Sequence, residues 1–126
     1  MKMVSQIKEK ESRSTQVTKL YLNFLDSHID DVVKGVEELF DINRIAREIA
    51  VSHPYLIELI NKEKGRQPCY FYNKKIIDSV KYLLKETDLS VFSIAVIFSY
   101  DPSNFSKFFK RWTGQTPGGF REGLQP

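Results

Sequence analysis

An internal repeat constrains the fold of this chain more than any other feature of its sequence. Two stretches align without a gap when Ile45 is placed on Ile94, a displacement of 49 residues. The other matches keep one order and spacing: Ala46 with Ala95, Leu56 with Phe105, Leu59-Ile60 with Phe108-Phe109, Gly65 with Gly114, and Pro68 with Pro117. Because 126 residues is the size of one ordinary domain, we expect the two copies to share one core.

The first copy, about residues 41–65, predicts a short helix, a tight turn and a longer helix. Apolar residues at helical spacing mark the two helices: Ile42, Ile45, Ala46 and Ile49 in the first, and Leu56, Leu59 and Ile60 in the second. Asp41 and Ser52 precede these helices as candidate N-caps. Gly65 follows the second helix as the residue expected to end it.

The second copy, about residues 90–113, predicts the same order of elements. Its apolar stripes are Val91, Ile94, Ala95 and Phe98 in the short helix, and Phe105, Phe108 and Phe109 in the longer one. Ser90 is the expected N-cap of the first helix, and Asp101-Pro102 provides an N-cap and a first-turn proline for the second. After Gly114, Thr116-Pro117 predicts a last short helix over about 117–122.

The stretch between the copies predicts one continuous helix, because residues 68–86 contain no glycine and no proline after Pro68. A helix of this length is roughly 28 Å long. Apolar residues in the segment 14–40 predict an opening helix and a further helical segment around Gly35. Residues 1–13 are polar, carry charges of both signs and predict a frayed tail. The predicted fold class is therefore all-α.

The composition narrows the range of functions. The longest apolar runs are too short for a membrane span or a signal peptide. Cys69 is the single cysteine, which fits the reducing cytoplasm. Because His28 and His53 are far apart and no Cys, His, Asp or Glu residues have metal-ligand spacing, we expect no metal or cofactor. We see no assembled acid–base or nucleophilic set, so we do not expect an enzyme.

The net charge of +3 is unevenly distributed. Residues 1–64 contain 10 Lys and Arg against 11 Asp and Glu, whereas residues 65–126 contain 9 against 5. A basic half favours a polyanionic partner, although a surplus of this size is also common on an ordinary soluble surface.

A short helix, a turn and a longer helix form the helix-turn-helix motif, whose second helix enters the major groove of DNA.

The linker helix also has a length that suits DNA. Major-groove faces recur about 34–36 Å apart along one side of the duplex. We therefore expect a linker of roughly 28 Å to place the two longer helices in adjacent major grooves. A monomer would then cover an asymmetric site.

The longest motif lies in the second copy. It runs through Asp101-Pro102-Ser103-Asn104-Phe105-Ser106-Lys107-Phe108-Phe109-Lys110-Arg111, Gly114-Gln115-Thr116-Pro117 and Phe120-Arg121. This run resembles the C-terminal signature of the AraC/XylS family of bacterial activators, and Ile45-Ala46 and Ile94-Ala95 match the family's two scaffold helices. The resemblance covers about residues 40–121. It implies seven helices, two helix-turn-helix motifs joined by a long linker helix, and promoter binding that usually activates transcription, with RNA polymerase as a further partner.

Many members of that family also carry a large sensor or dimerisation domain. The residues before the first motif here are too few to form one. We therefore expect a stand-alone regulator without a small-molecule sensor domain, unless the chain is a fragment.

In the second copy, the resemblance places Ser103, Ser106 and Lys107 where the family contacts bases. Lys107 can donate to guanine O6 and N7, and the serine hydroxyls can adapt to either partner. The candidates for contact with the DNA backbone are Asn104, Lys110, Arg111 and Arg121. A solvated helix face is the competing interpretation of these residues.

In the first copy, the equivalent base-contact positions are Pro54, Ile57 and Glu58, and the backbone candidates are His53 and Lys62. The helix has no net charge over residues 53–64, since two lysines balance two glutamates. It therefore either contacts bases weakly or mainly touches the backbone. The apolar and acidic side chains keep open an alternative function, a protein-interaction module that contacts RNA polymerase or another regulator.

Other features have ordinary structural explanations that compete with functional ones. The run Tyr70-Phe71-Tyr72 could stack on bases, but packing is the expected role at this helical spacing. Cys69 has no resolving partner, so we expect a quiet, partly buried thiol. The two turns contain Ala50 and Ser99 where the family usually has glycine.

Overall fold

The computed structural model describes residues 11–124, which form helices and no strand. In chain order the helices are α1 (Arg13–Val33), α2 (Ile42–Glu48), α3 (His53–Lys64), α4 (Pro68–Glu86), α5 (Val91–Ile97), α6 (Pro102–Thr113) and α7 (Pro117–Glu122). The all-α prediction and the seven helices are confirmed. None of these helices combines the length and the apolar character that crossing a membrane requires.

The repeat found in the sequence recurs in the helix boundaries. The short helices begin at Ile42 and Val91, and each has 7 residues. The longer helices begin at His53 and Pro102, and each has 12 residues. Both pairs of start positions differ by the same 49 residues that align the two sequence stretches. The prediction of two copies of one helix-turn-helix unit is confirmed.

Side-chain and glycine caps fix both ends of the longer helices. The Ser52 hydroxyl and the Asp101 carboxylate each accept a hydrogen bond, both at 3.2 Å, from the backbone N–H three residues later. Gly65 and Gly114 end these helices with φ values of 72° and 83°, in the left-handed region that glycine adopts without a steric penalty. Fixed ends determine which side chains of each helix face outward.

The turn within each motif also contains a left-handed residue, and neither is a glycine. Ala50 has a φ of 63° and Ser99 a φ of 58°. In each turn the N–H of the next residue bonds the carbonyl five positions earlier, at 3.0 Å after Ala50 and 2.9 Å after Ser99. The sequence showed that the usual glycine is missing, and the structure shows that the backbone nevertheless adopts the conformation that glycine favours.

The backbone contacts cluster into two compact units, and the expectation of one shared core stays a prediction. Among the described residues, the first unit comprises 11–27 and 40–72, and the second comprises 28–39 and 73–124. Each unit contains one helix-turn-helix motif with its own buried stripe. The stripe of the first unit is Ile45, Ala46, Leu56, Leu59 and Ile60, and that of the second is Ile94, Ala95, Phe105, Phe108 and Phe109.

In the first unit, hydrogen bonds from α1 hold the end of α3 and the start of α4. The Ser14 and Thr15 hydroxyls donate to Glu63 Oε1 at 3.3 and 3.1 Å. The buried Tyr21 hydroxyl donates to the Pro68 carbonyl at 2.6 Å. Burial, as the largest cause, raises the pKa of Tyr21 far above its ordinary value, so this phenol stays protonated and remains a donor.

In the second unit, aromatic side chains pack around α6. Phe98, Phe105 and Phe109 are almost fully buried. Tyr100 stacks on Phe108 with ring centroids 5.2 Å apart, and Phe109 meets Phe120 edge-on at 5.6 Å. This packing fixes the rotation of α6 about its own axis.

Two predictions at the N-terminal end were wrong. No helix forms around Gly35, because α1 ends at Val33 and Gly35 adopts a φ of 78° while the Val36 N–H bonds the Asp31 carbonyl at 2.9 Å. The predicted frayed tail also extends too far, since Ser12 Oγ accepts from the Thr15 N–H at 3.1 Å and α1 begins at Arg13. Residues 1–10 of that tail lie outside the described residues.

Candidate nucleic-acid interface

The outward face of α6 is polar and basic. Ser103, Lys107 and Arg111 are exposed along it, together with Asn104 and Lys110, and Ser106 is half-buried. The opposite side of the helix carries the buried phenylalanines Phe105, Phe108 and Phe109. From residue 101 to residue 111 the charge is +2, since three basic residues accompany one acidic residue. The structure therefore brings the predicted contact residues of this helix together on one surface.

Arg111 lies close enough to Tyr100 to affect its phenol. Burial raises the pKa of Tyr100, and the positive charge of Arg111 partly opposes that rise. Tyr100 also stacks on Phe108, and Arg111 lies in the last turn of the same helix.

The outward face of α3 has a different chemical character. Pro54 and Glu58 are exposed and Ile57 is half-buried, opposite the buried Leu56 and Leu59. The backbone candidates of this helix differ as well, since Lys62 is exposed and His53 is half-buried. Pro54, Ile57 and Glu58 thus share one side of α3, and these three residues present an apolar and acidic surface.

Arg121 occupies a position that differs from the predicted phosphate contact. Its guanidinium donates to four backbone carbonyls at and beyond the end of α4, those of Leu83 at 3.4 Å, Leu84 at 3.0 Å, Thr87 at 3.1 Å and Leu89 at 2.6 Å. The last carbonyls of a helix have no partner within the helix, and a cation is favourable there. This geometry makes Arg121 a cap of the linker helix.

Comparison with known proteins identifies the family. The profile of the family described as "Helix-turn-helix domain", which is of the AraC type, matches residues 45–123. This chain belongs to the AraC-type helix-turn-helix family. The AraC-type chain is 31% identical over 103 residues to an uncharacterized HTH-type transcriptional regulator, YtdP, of Bacillus subtilis, an alignment that covers 81% of this chain and 13% of that protein. The family and these relatives are transcription regulators and not enzymes.

Solved structures show the same fold. The C-terminal domain of AraT, a response regulator from Geobacillus stearothermophilus, superposes with a TM-score of 0.74 at 24% identity, covering 89% of this chain and 88% of that one. The DNA-binding domain of AdpA, a global transcriptional factor solved in complex with a target DNA, gives 0.64 at 21% identity, covering 79% and 90%. The AraC-type chain spans between 13% and 38% of the length of the curated relatives it matches.

Two arginines of the AraC-type domain were missed in the sequence. Arg44 lies over the Phe40 ring at 3.8 Å, and Arg66 lies over the Tyr70 ring at 4.2 Å. In each pair one residue lies outside the helices, since Phe40 precedes α2 and Arg66 precedes α4. A cation over an aromatic face is attracted by the negative charge of the ring face. Because neither pair lies within one helix, helical spacing in the sequence did not reveal these basic groups.

The structure also separates the competing explanations of the linker residues. Tyr72 is buried and its hydroxyl accepts from the Phe40 N–H at 3.0 Å, so packing is the role of this aromatic residue in the AraC-type domain. Cys69 is exposed, and the expectation of a partly buried thiol was wrong. Its position one residue inside α4, next to the buried Pro68, directs the side chain outward.

Proposed function

We propose that this chain binds double-stranded DNA in the bacterial cytoplasm and regulates transcription, with α3 and α6 in adjacent major grooves. The observation that carries the proposal is the outward face of α6, where exposed lysines, an arginine and serines lie opposite three buried phenylalanines. The relatives are named as transcription regulators, and the AdpA domain of the same fold was solved with its target DNA.

The two motifs contribute unequally to this binding. On α6, Lys107 with Ser103 and Ser106 contacts base edges, whereas Asn104, Lys110 and Arg111 contact phosphates. Phosphate contacts dominate affinity and depend on salt because they release counterions. The first motif adds less electrostatic attraction, since α3 has no net charge and its backbone contacts come from His53 and Lys62. Arg121 is not included among the DNA contacts, because four of the five N–H donors of its guanidinium are occupied by backbone carbonyls.

Alanine substitutions with a salt titration test this proposal. Lys107→Ala should weaken binding to a selected site by about 1–3 kcal/mol and relax the preference at one base pair. Arg111→Ala should weaken binding to all sequences alike and lower the salt slope by about one unit. Lys62→Ala should have a smaller effect than either, and Lys85→Ala on α4 is the matched control. Effects of Lys107→Ala and Arg111→Ala that are as small as that of Lys85→Ala would contradict DNA binding through α6.

A second candidate function is a contact with RNA polymerase that activates transcription, or a contact with another regulator. The observation that favours it is an apolar surface of the second unit. Val36, Phe92 and Val96 have 69%, 62% and 56% of their residue surface exposed. An open cleft of about 420 Å³ lies between residues that include Val36, Val96 and the acidic Glu37 and Glu38. Carboxylates repel DNA, so this surface suits a protein partner with apolar and basic side chains.

Val96→Asp tests the protein contact separately from DNA binding. The variant should lose retention of purified bacterial RNA polymerase while its affinity for DNA stays unchanged. Tyr82→Asp provides a control, since Tyr82 is similarly exposed on α4. Equal retention by the wild type and both variants would exclude polymerase contact through this surface and leave DNA binding as the function to be pursued.

A further inference from the structure

The outward face of α3 differs in chemistry from every polar DNA-contacting surface in this chain. Its first two turns present Pro54, Ile57 and Glu58, which supply two apolar side chains and one carboxylate. None of these three side chains can donate a hydrogen bond when Glu58 is ionised. The face therefore offers an acceptor and apolar contact, whereas Lys107 on α6 offers a donor.

The orientation of this face is fixed by the packing of the first unit. Leu56 and Ile60 have no exposed surface, so α3 cannot rotate about its axis without exposing them. The Ser52 cap fixes the first turn, and hydroxyl groups from α1 hold Glu63 at the last turn. Glu63 is thereby held by side chains of its own unit, and Glu58 remains as the carboxylate directed outward.

Glu58 is also available to a partner. Within residues 11–124 none of the ion pairs involves Glu58, and its side chain is exposed. Ile57 is half-buried, so part of the side chain is packed while the rest projects beside Glu58. An apolar group and a free acceptor therefore lie next to each other on one surface.

The edges of the base pairs in the major groove determine what such a surface can recognise. Among the four bases, thymine presents an apolar group in the major groove, its 5-methyl group. Cytosine presents the N4 amino group as a donor, and glutamate is the side chain that accepts from it. Guanine presents the acceptors O6 and N7, which repel a carboxylate. Adenine offers N6 next to the acceptor N7, which suits an amide better than a carboxylate.

We propose that α3 selects pyrimidines on one strand, with Ile57 and Pro54 contacting thymine methyl groups and Glu58 accepting from cytosine N4. The inference rests on the proposed function, since it assigns base identity to a helix already placed in the major groove. The half-site under α3 is then rich in thymine and cytosine on the contacted strand. The half-site under α6 contains the guanine that Lys107 contacts.

Modified bases test this inference without changing the protein. A site is first selected with the full chain from random duplex DNA. Each thymine is then replaced singly by deoxyuridine, which lacks only the 5-methyl group, and each cytosine by N4-methylcytosine, which still pairs but loses the donor in the major groove. We expect a loss of about fourfold at one or two thymines, which corresponds to the burial of one methyl group at about 0.8 kcal/mol. At one cytosine we expect the N4-methyl substitution to lower the affinity about tenfold.

Protein variants assign these losses to α3. Ile57→Ala should lose the discrimination between thymine and deoxyuridine at one position, and Glu58→Ala, which removes the acceptor, should bind the N4-methylcytosine and cytosine duplexes equally. Leu20→Ala, a truncation of an exposed apolar side chain on α1, should retain both discriminations. Circular dichroism melting of each variant verifies that the affinities are measured on folded protein.

The possible outcomes decide between the proposals. If deoxyuridine can replace each thymine without a loss of affinity, the thymine contact is overturned. If Ile57→Ala still discriminates between thymine and deoxyuridine as the wild type does, the assignment of that contact to α3 is overturned. Selection of a guanine in place of cytosine on the strand that α3 contacts overturns the role of Glu58. In each of these cases salt-dependent DNA binding through α6 persists, so the proposed function survives. Failure of the chain to bind any duplex at low salt would instead reject the proposed function itself.

Discussion

Replacing Ala50 by glycine should stabilise the first unit. Ala50 has a φ of 63°, and the left-handed conformation costs an L-residue about 1–2 kcal/mol relative to glycine. Glycine also raises the entropy of the unfolded chain, which offsets about 0.4–1 kcal/mol of that gain. The expected net increase in the free energy of unfolding is therefore about 0.5–1 kcal/mol. The turn hydrogen bond from Val51 to Ala46 is made by backbone atoms, so the substitution leaves it in place.

Ser99→Gly should have a similar effect in the second unit, where φ is 58°. The two gains should add, because the residues lie in different units. For a chain of this size, each kcal/mol shifts the melting temperature by roughly 4 °C. The double variant should therefore melt about 4–8 °C above the wild type, in a calorimetric or circular dichroism scan.

Ser79→Gly provides the matched control. Ser79 lies in the interior of α4, where glycine is less favourable than serine by about 0.5 kcal/mol, so this variant should melt below the wild type. If Ala50→Gly and Ser99→Gly lower the melting temperature as Ser79→Gly does, the left-handed conformation stores no strain and the reasoning is refuted.

Further predictions concern Arg121, Glu58 and stoichiometry. Arg121→Ala should lower the free energy of unfolding by about 2–3 kcal/mol, because hydrogen bonds from a charged donor to the end of α4 are lost, whereas Lys85→Ala should change it by less than about 0.5 kcal/mol. If Arg121→Ala is as stable as the wild type but binds DNA more weakly, Arg121 contacts phosphates and does not cap α4. Glu58→Arg should raise the affinity for random duplex DNA and steepen its salt dependence more than Glu86→Arg, which adds the same charge elsewhere. Superimposable titration curves for the two variants would place α3 outside the groove. Footprinting with analytical ultracentrifugation should find one monomer on an asymmetric site of about 20 base pairs, and a dimer on a palindrome would contradict that arrangement.

The helix boundaries could be predicted from the sequence because local chemistry determines them. Ser52 and Asp101 are strong N-caps, and Gly65 and Gly114 end their helices as expected. Gly35 is the instructive failure. Apolar residues continue on both sides of it, so periodicity favoured a further helix, yet a single left-handed glycine closes α1 through backbone bonds that periodicity does not register.

The candidate site was only partly predictable for a different reason. The outward positions of α3 and α6 follow from helical spacing and from the buried stripes opposite them. The partners of Arg121 do not, because the carbonyls it contacts are more than 30 residues away along the chain. The exposure of Cys69 and the aromatic partners of Arg44 and Arg66 likewise depend on packing that no local pattern specifies.

The equal lengths of α3 and α6 make their outward residues interchangeable in principle. Both helices have 12 residues between a side-chain cap and a left-handed glycine, so a residue at one position of α3 has a direct counterpart on α6. The buried stripes are not equivalent, since leucines and an isoleucine fill one and phenylalanines fill the other, and exchanging them would leave cavities or overpack the core. If only the outward residues Ser103, Ser106 and Lys107 are grafted onto the equivalent positions of α3, the first motif should acquire the base preference of α6. The chain would then serve as a scaffold in which the base preference of each recognition helix can be changed independently of the other.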